Sequence, residues 1–194
     1  MATVGCSHQT QLAKESRTLY HVPDSVPAEP QHPLDPPLPG VPNFGVITHE
    51  VWRGGEPSAA GLQLLGELGV KTVIDLRSEG DESAQVPQGV KYVRLPVSAW
   101  RADQVDVKRV LSAIALNPKP VFVHCQQGRD RTGLAIAAYR LSTGLSTKST
   151  MEELIYFDVN PWWRGPIERR IDELARAKQK LEAQESHAPK VPVQ

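Results

Sequence analysis

The chain is short of cysteine, of net charge and of long apolar runs. Two cysteines in 194 residues, Cys6 and Cys125, exclude a disulfide framework and supply too few ligands for a zinc site. Lys+Arg and Asp+Glu are equal at 22 each, so no global field recruits nucleic acid or an anionic membrane, and an anionic ligand needs a local site. With no run of eighteen apolar residues, no membrane span is expected. No internal repeat occurs. A hydrophobic content of 40% and a charged content of 23% describe an ordinary globular chain, long enough to bury one core.

Proline is concentrated at one end. Pro23, Pro27, Pro30, Pro33, Pro36, Pro37, Pro39 and Pro42 fall in a segment with few large apolar residues. Such a segment reads as a disordered, polyproline-like tether over residues 1–43, with a PxxP docking peptide as the alternative. Small residues before Cys6 and polar ones after it resemble a bacterial lipoprotein cleavage point, but the apolar stretch that precedes such a point is missing. The expectation is a cytoplasmic protein, or an exported lipoprotein anchored at Cys6 if the true start lies upstream.

Beyond residue 44 strand and helix patterns alternate. Glu50–Arg53 predicts a strand, and Gly54-Gly55 a turn. Pro57-Ser58 opens a helix with Leu62, Leu65 and Leu68 on one face, stopped by Gly69. Lys71–Leu76 reads as a buried strand, Arg77–Gly89 as polar turns, and Val90–Leu95 as a half-buried strand. A helix is predicted from about Asp103 through Ile114, then a central strand over Val121–Val123 and a helix over Arg131–Leu141 ending near Gly144. Thr150 and Glu153 suggest a capping box for the next helix. Ile167, Ile171, Leu174 and Leu181 form the stripe of the last, with Asp172 and Arg176 as an i,i+4 pair. This alternation predicts a three-layer α/β fold, a mostly parallel central sheet flanked by helices, over residues 44–183, with a flexible tail over 184–194.

The stretch VFVHCQQGRDRTG, residues 121–133, carries the chemistry. A strand ending at Cys125 and a helix starting near Arg131 place a thiol below a helix N-terminus. There the amides of Gln126, Gln127, Gly128, Arg129, Asp130, Arg131 and Thr132 can converge on an anion. Gly128 lets the loop curl, and Arg131 offers a planar fork for two phosphate oxygens. The same positive field favours thiolate over thiol, so each part suits phosphate ester cleavage. The alternative for Cys125 is a buried structural thiol.

The pattern HC-x5-R-T-G resembles the signature of the cysteine-dependent protein tyrosine phosphatases, and more narrowly the atypical dual-specificity branch of bacteria and fungi. FGVITHEVWRGGEPS, GVKTVIDLR, KYVRLPV and TGLAIAAYR extend the resemblance over residues 44–160. It implies Cys125 as nucleophile, a phosphocysteine intermediate, Arg131 and the loop amides on the equatorial oxygens, His124 and Thr132 in supporting roles, and neither metal nor cofactor. The implied substrates are phosphotyrosine or dual-specificity protein substrates. Inositol phosphates or phosphoinositides are the alternative, and a non-catalytic phosphate-binding pseudophosphatase the third reading.

The sequence departs from this resemblance at the general acid. Ala99 stands where relatives carry an aspartate. Asp103, with Asp106 behind it, is one candidate, though it also suits a helix N-cap. Asp130, inside the loop, is the other, though it can simply orient neighbouring groups. Arg129 either meets a second phosphate or lies solvated. Arg53 and Arg77 are expected to pair with Asp75 or Glu79, and Trp162-Trp163 to plug the core against the last helix or, alternatively, to rim the substrate site.

Overall fold

The computed structural model describes residues 25–80 and 85–187. The Cys6 assignment, residues 1–24 of the proposed tether and residues 188–194 of the proposed C-terminal tail lie outside them. Five strands form one sheet: β1 (Gly45–Val46), β2 (Val51–Gly54), β3 (Thr72–Arg77), β4 (Lys91–Val97) and β5 (Val121–His124), in the order β1-β2-β5-β3-β4. Only β1 is antiparallel to its neighbour; β2, β5, β3 and β4 run parallel. Edge position explains how β4 carries Pro96, which has no N–H for a ladder.

Side-chain alternation on β5 sorts the layers. Val121 and Val123 face one core together with Ile74 and Leu76 of β3. Helices α2 (Val107–Leu116), α3 (Asp130–Ser142), α4 (Thr147–Tyr156) and α5 (Pro161–His187) cover that side. Phe122 faces the other core with Val73, beneath α1 (Ala59–Glu67). Ser58 caps α1 by accepting from the Gly61 N–H, and Gly69 ends it at φ +102°.

The proline segment is not a tether where it is described. Leu38 and Val41 are buried against α1, and the Leu34 N–H donates to the Phe44 carbonyl. Arg140, fully buried in α3, donates to the carbonyls of Pro27 and Glu29, while the Gln31 N–H donates to Glu153. His32 stacks on Tyr156 at 3.7 Å. A few apolar anchors and one buried arginine thus offset an ordering cost that composition alone makes look prohibitive.

Other boundaries move as well. Ala99–Gln104 forms two short 3-10 turns that break at Arg101 (φ −138°), and Ala102 and Val105 are buried there. Helix α2 starts only at Val107, where Asp106 rather than Asp103 accepts from the Arg109 N–H. Ser146, not Thr150, caps α4; Thr150 and Glu153 are buried inside it, and Glu153 pairs with Arg140 at 3.1 Å. Ile167 and Ile171 are buried but Leu181 is exposed, because α5 outruns the core and continues through His187 rather than giving way to a tail at 184. Arg176 donates to the Asp172 carbonyl.

Candidate active site

Parallel strands leave their C-terminal ends together, and that edge holds the site. Register pairs His124 with Gly54 of β2 on one side and Asp75 of β3 on the other, so Cys125 emerges between two strand ends. Its side chain is buried, and it is a free cysteine. The chain then turns through residues 126–129 into α3.

Backbone contacts fix that turn. Gly128 sits at φ +71°, and a Cβ there would lie 2.5 Å from the Gly54 carbonyl carbon and the Gly55 nitrogen. The Glu56 N–H donates to the Gln126 carbonyl at 2.9 Å. Two side chains hold the Gly128 carbonyl: Arg53 Nη2 at 2.5 Å and Asn43 Nδ2 at 3.1 Å. Arg53 therefore does not serve Asp75 or Glu79. It lies fully buried beneath the loop with its guanidinium 3.8 Å from the Phe157 ring centroid. Burial pulls its pKa down to about 10, against the opposing pull of Glu153 and Cys125.

Arg77 behaves as the sequence suggests. It donates two side-chain hydrogen bonds to Asp75 and meets Glu56 at 2.5 Å. Burial disfavours the Asp75 charge, but hydrogen bonds from Arg77 and Tyr92 and the neighbouring His124 hold its carboxyl below the usual range. His124 stacks on Phe122 and lies 3.9 Å from Asp75, with Nδ1 3.3 Å from the Cys125 carbonyl oxygen. Burial, aided by Arg77, takes its pKa down to about 4, so the ring is neutral near pH 7.

Cys125 opens into a pocket of about 180 Å³ lined also by Ala99, Trp100, Gln126, Gln127, Asp130, Arg131, Asn160 and Trp163. Arg131 is anchored by one arm, Nη1 donating to the Val97 carbonyl at 2.9 Å. Thr132 is fully buried, and its hydroxyl has no hydrogen-bond partner among the described residues. Asp130 accepts from the Asn160 N–H at 2.7 Å. Burial raises its pKa, opposed by that bond and by Arg129 and Arg131.

Of the two acid candidates, Asp130 lies in this pocket. Asp103 lines a separate cavity of about 520 Å³ beside Arg169, Arg170 and Glu173 of α5. Arg129 is partly exposed but not free in solvent: Nη2 meets the Asp158 carboxylate at 3.1 Å and Nε donates to the Asp158 carbonyl. The tryptophan pair divides. Trp163 packs on the core and walls the pocket, whereas Trp162 is 88% exposed and plugs nothing. Asn43 and the 157–160 turn are not anticipated from sequence; the one signal is residue type, since Asn and Asp are the side chains that most readily take the positive φ seen at Asn43 and Asp158.

The chain is similar to known proteins. Dual specificity protein phosphatase TpbA of Pseudomonas aeruginosa (strain UCBPP-PA14) is 35% identical over 115 residues, which cover 58% of this chain and 53% of TpbA. The chain thus spans about half the length of the curated relatives it matches first. A crystal structure of P. aeruginosa TpbA, as a cysteine-to-serine variant in complex with phosphotyrosine, superposes with a TM-score of 0.60 at 28% identity, covering 79% of this chain and 97% of that one. The catalytic core of the PP-IP phosphatase Siw14 from S. cerevisiae shares the fold alone, with a TM-score of 0.54 at 23% identity over 73% of this chain and 94% of that one. The family described as DSP-PTPase phosphatase fused to NAD+ kinase matches residues 43–187, from the asparagine that grips the loop to the end of α5, and the chain belongs to that family.

Proposed function

We propose that the protein is a cysteine-dependent phosphatase that hydrolyses phosphate monoesters, with phosphotyrosine and dual-specificity protein substrates as its class. The observation that carries this reading is the convergence of Cys125, Arg131 and Asp130 on one pocket at the N-terminus of α3.

In this mechanism the amides of the 126–132 loop and the free arm of Arg131 hold the phosphoryl oxygens, and Cys125 attacks phosphorus in line with the leaving oxygen. Charge builds on the equatorial oxygens in the transition state, where preorganised donors act most strongly. Asp130 donates a proton to the leaving oxygen. Its raised pKa suits that task, because a larger fraction stays protonated toward neutral pH. Water then attacks the phosphocysteine, Asp130 takes its proton, and the Thr132 hydroxyl, which has no other partner among the described residues, stabilises the departing sulfur. His124 stays neutral and braces the loop through the Cys125 carbonyl.

Trp100 and Trp163 support an aryl leaving group, since two indoles beside Cys125 offer stacking surface for a phenyl ring. The phosphotyrosine complex of TpbA supports the same class. The test is a panel of p-nitrophenyl phosphate, phosphotyrosine and phosphoserine peptides and an inositol phosphate, with Cys125→Ser as control. Aryl phosphate turnover that disappears in the variant is the expected result. Turnover of the inositol phosphate alone would favour the second reading. Binding without Cys125-dependent turnover would leave a phosphate receptor.

A further inference from the structure

We infer that Asp158 is a specificity-determining residue, which withholds Arg129 from the pocket and so keeps a second anion subsite closed. The inference deepens the phosphatase reading above and rests on it for the site's identity. Arg129 and Arg131 flank Asp130 at the start of α3, so the loop carries two guanidinium groups where one phosphate needs one. Only Arg131 lines the pocket. Arg129 points to the 157–160 turn, where the carbonyl and the carboxylate of the same residue, Asp158, take two of its nitrogens. Asp158 adopts φ +58°, and that left-handed turn brings both of its acceptors to Arg129.

The arrangement favours substrates with one phosphoryl group. A ligand with two adjacent phosphoryl groups, such as a pyrophosphate or a vicinal bisphosphate, would want the second guanidinium and meets an arginine already engaged. The Asp158 side chain is 77% exposed and that of Arg129 26% exposed. Exposed pairs of this kind are weak, so removing the carboxylate leaves Arg129 held only through Nε by the Asp158 carbonyl and lets its outer nitrogens turn.

The probes are inorganic phosphate and inorganic pyrophosphate, bound to the full chain in a Cys125→Ser background and followed by calorimetry. Asp158→Gly keeps the backbone conformation and removes the carboxylate. It should strengthen pyrophosphate binding by about two- to fivefold, the worth of an exposed pair that no longer competes, with phosphate binding unchanged. Adding Arg129→Ala should erase that gain. An unchanged affinity ratio overturns the inference, and so does a gain that survives without Arg129. Should Asp158→Gly unfold, Asp158→Asn, which tolerates the same φ, carries the test with a smaller gain of the same sign. Loss of Cys125-dependent turnover in the otherwise native chain would refute the phosphatase reading without touching the affinity ratio, so the two failures are distinguishable.

Discussion

Gly128→Ala separates two reasons for which a chain needs glycine. The residue sits at φ +71°, a region that costs an L-residue about 1–2 kcal/mol. Its Cβ would also fall 2.5 Å from two backbone atoms of the Gly54-Gly55 turn, and backbone cannot rotate aside as a long side chain can. Overpacking of that order adds about 1–3 kcal/mol. The sum, about 2–5 kcal/mol, lowers Tm by roughly 5–20 °C at this chain length. Gly69 is the control: it has φ +102° with nothing within 4 Å of an added methyl, so Gly69→Ala carries the conformational cost alone. Turnover separates the pair further. Gly69→Ala should keep kcat, whereas Gly128→Ala displaces the amides that hold the phosphoryl group and should lower kcat about 100-fold. Differential scanning fluorimetry and p-nitrophenyl phosphate kinetics decide it. Equal Tm losses in the two variants, or a Gly128→Ala enzyme within about threefold of wild type, would refute the steric argument.

Asp130→Asn should slow alkyl phosphate hydrolysis by about 10²–10⁴-fold while sparing p-nitrophenyl phosphate, whose leaving group needs little protonation. Because burial raises the Asp130 pKa, the wild-type rate on alkyl esters should fall as pH rises through that value, and this basic limb should vanish from the variant's pH–rate profile. Trp163→Ala should raise KM for phosphotyrosine peptide more than for phosphoserine peptide, read from initial rates on both. The His124 pKa, down to about 4 from 6.5 when unfolded, makes the folded state bind this proton more weakly. Its contribution is present above pH 6.5 and lost as pH falls toward 4, to a limit of about 3 kcal/mol; urea unfolding across that window should show wild type losing more stability than His124→Asn by about that amount. Glu153→Leu leaves Arg140 buried with two carbonyl acceptors but no counter-charge and should cost about 3–5 kcal/mol in the same assay.

How much of the molecule is legible in the sequence depends on how local each cause is. The 121–133 stretch is readable because strand, loop glycine and helix start are contiguous, and their chemistry depends on neighbours a few residues away. Glycine stops and the leucine face of α1 are readable for the same reason. The start of α2 is not, because Asp103 and Asp106 are equal as caps until the burial of Ala102 and Val105 chooses between them. The described part of the proline segment looks like a tether in sequence because its anchors, Arg140 and Glu153, lie more than a hundred residues away along the chain.

Arg53 shows why the remainder of the site is hidden. A guanidinium buried to this degree loses its hydration, and that loss must be offset by contacts of fixed geometry. Here the partners are a carbonyl of the signature loop and the face of Phe157, which belongs to the α4–α5 connection. Asn43 ties the same two places, donating to the carbonyls of Gly128 and Phe157. The loop is therefore held from below by β2 and from the side by the 157–160 turn, and that turn also engages Arg129 and Asp130. A short signature can name the reacting atoms. Their placement belongs to residues that no short pattern contains, and substitutions at Arg53 or Asn43 should reach kcat without touching the phosphoryl group.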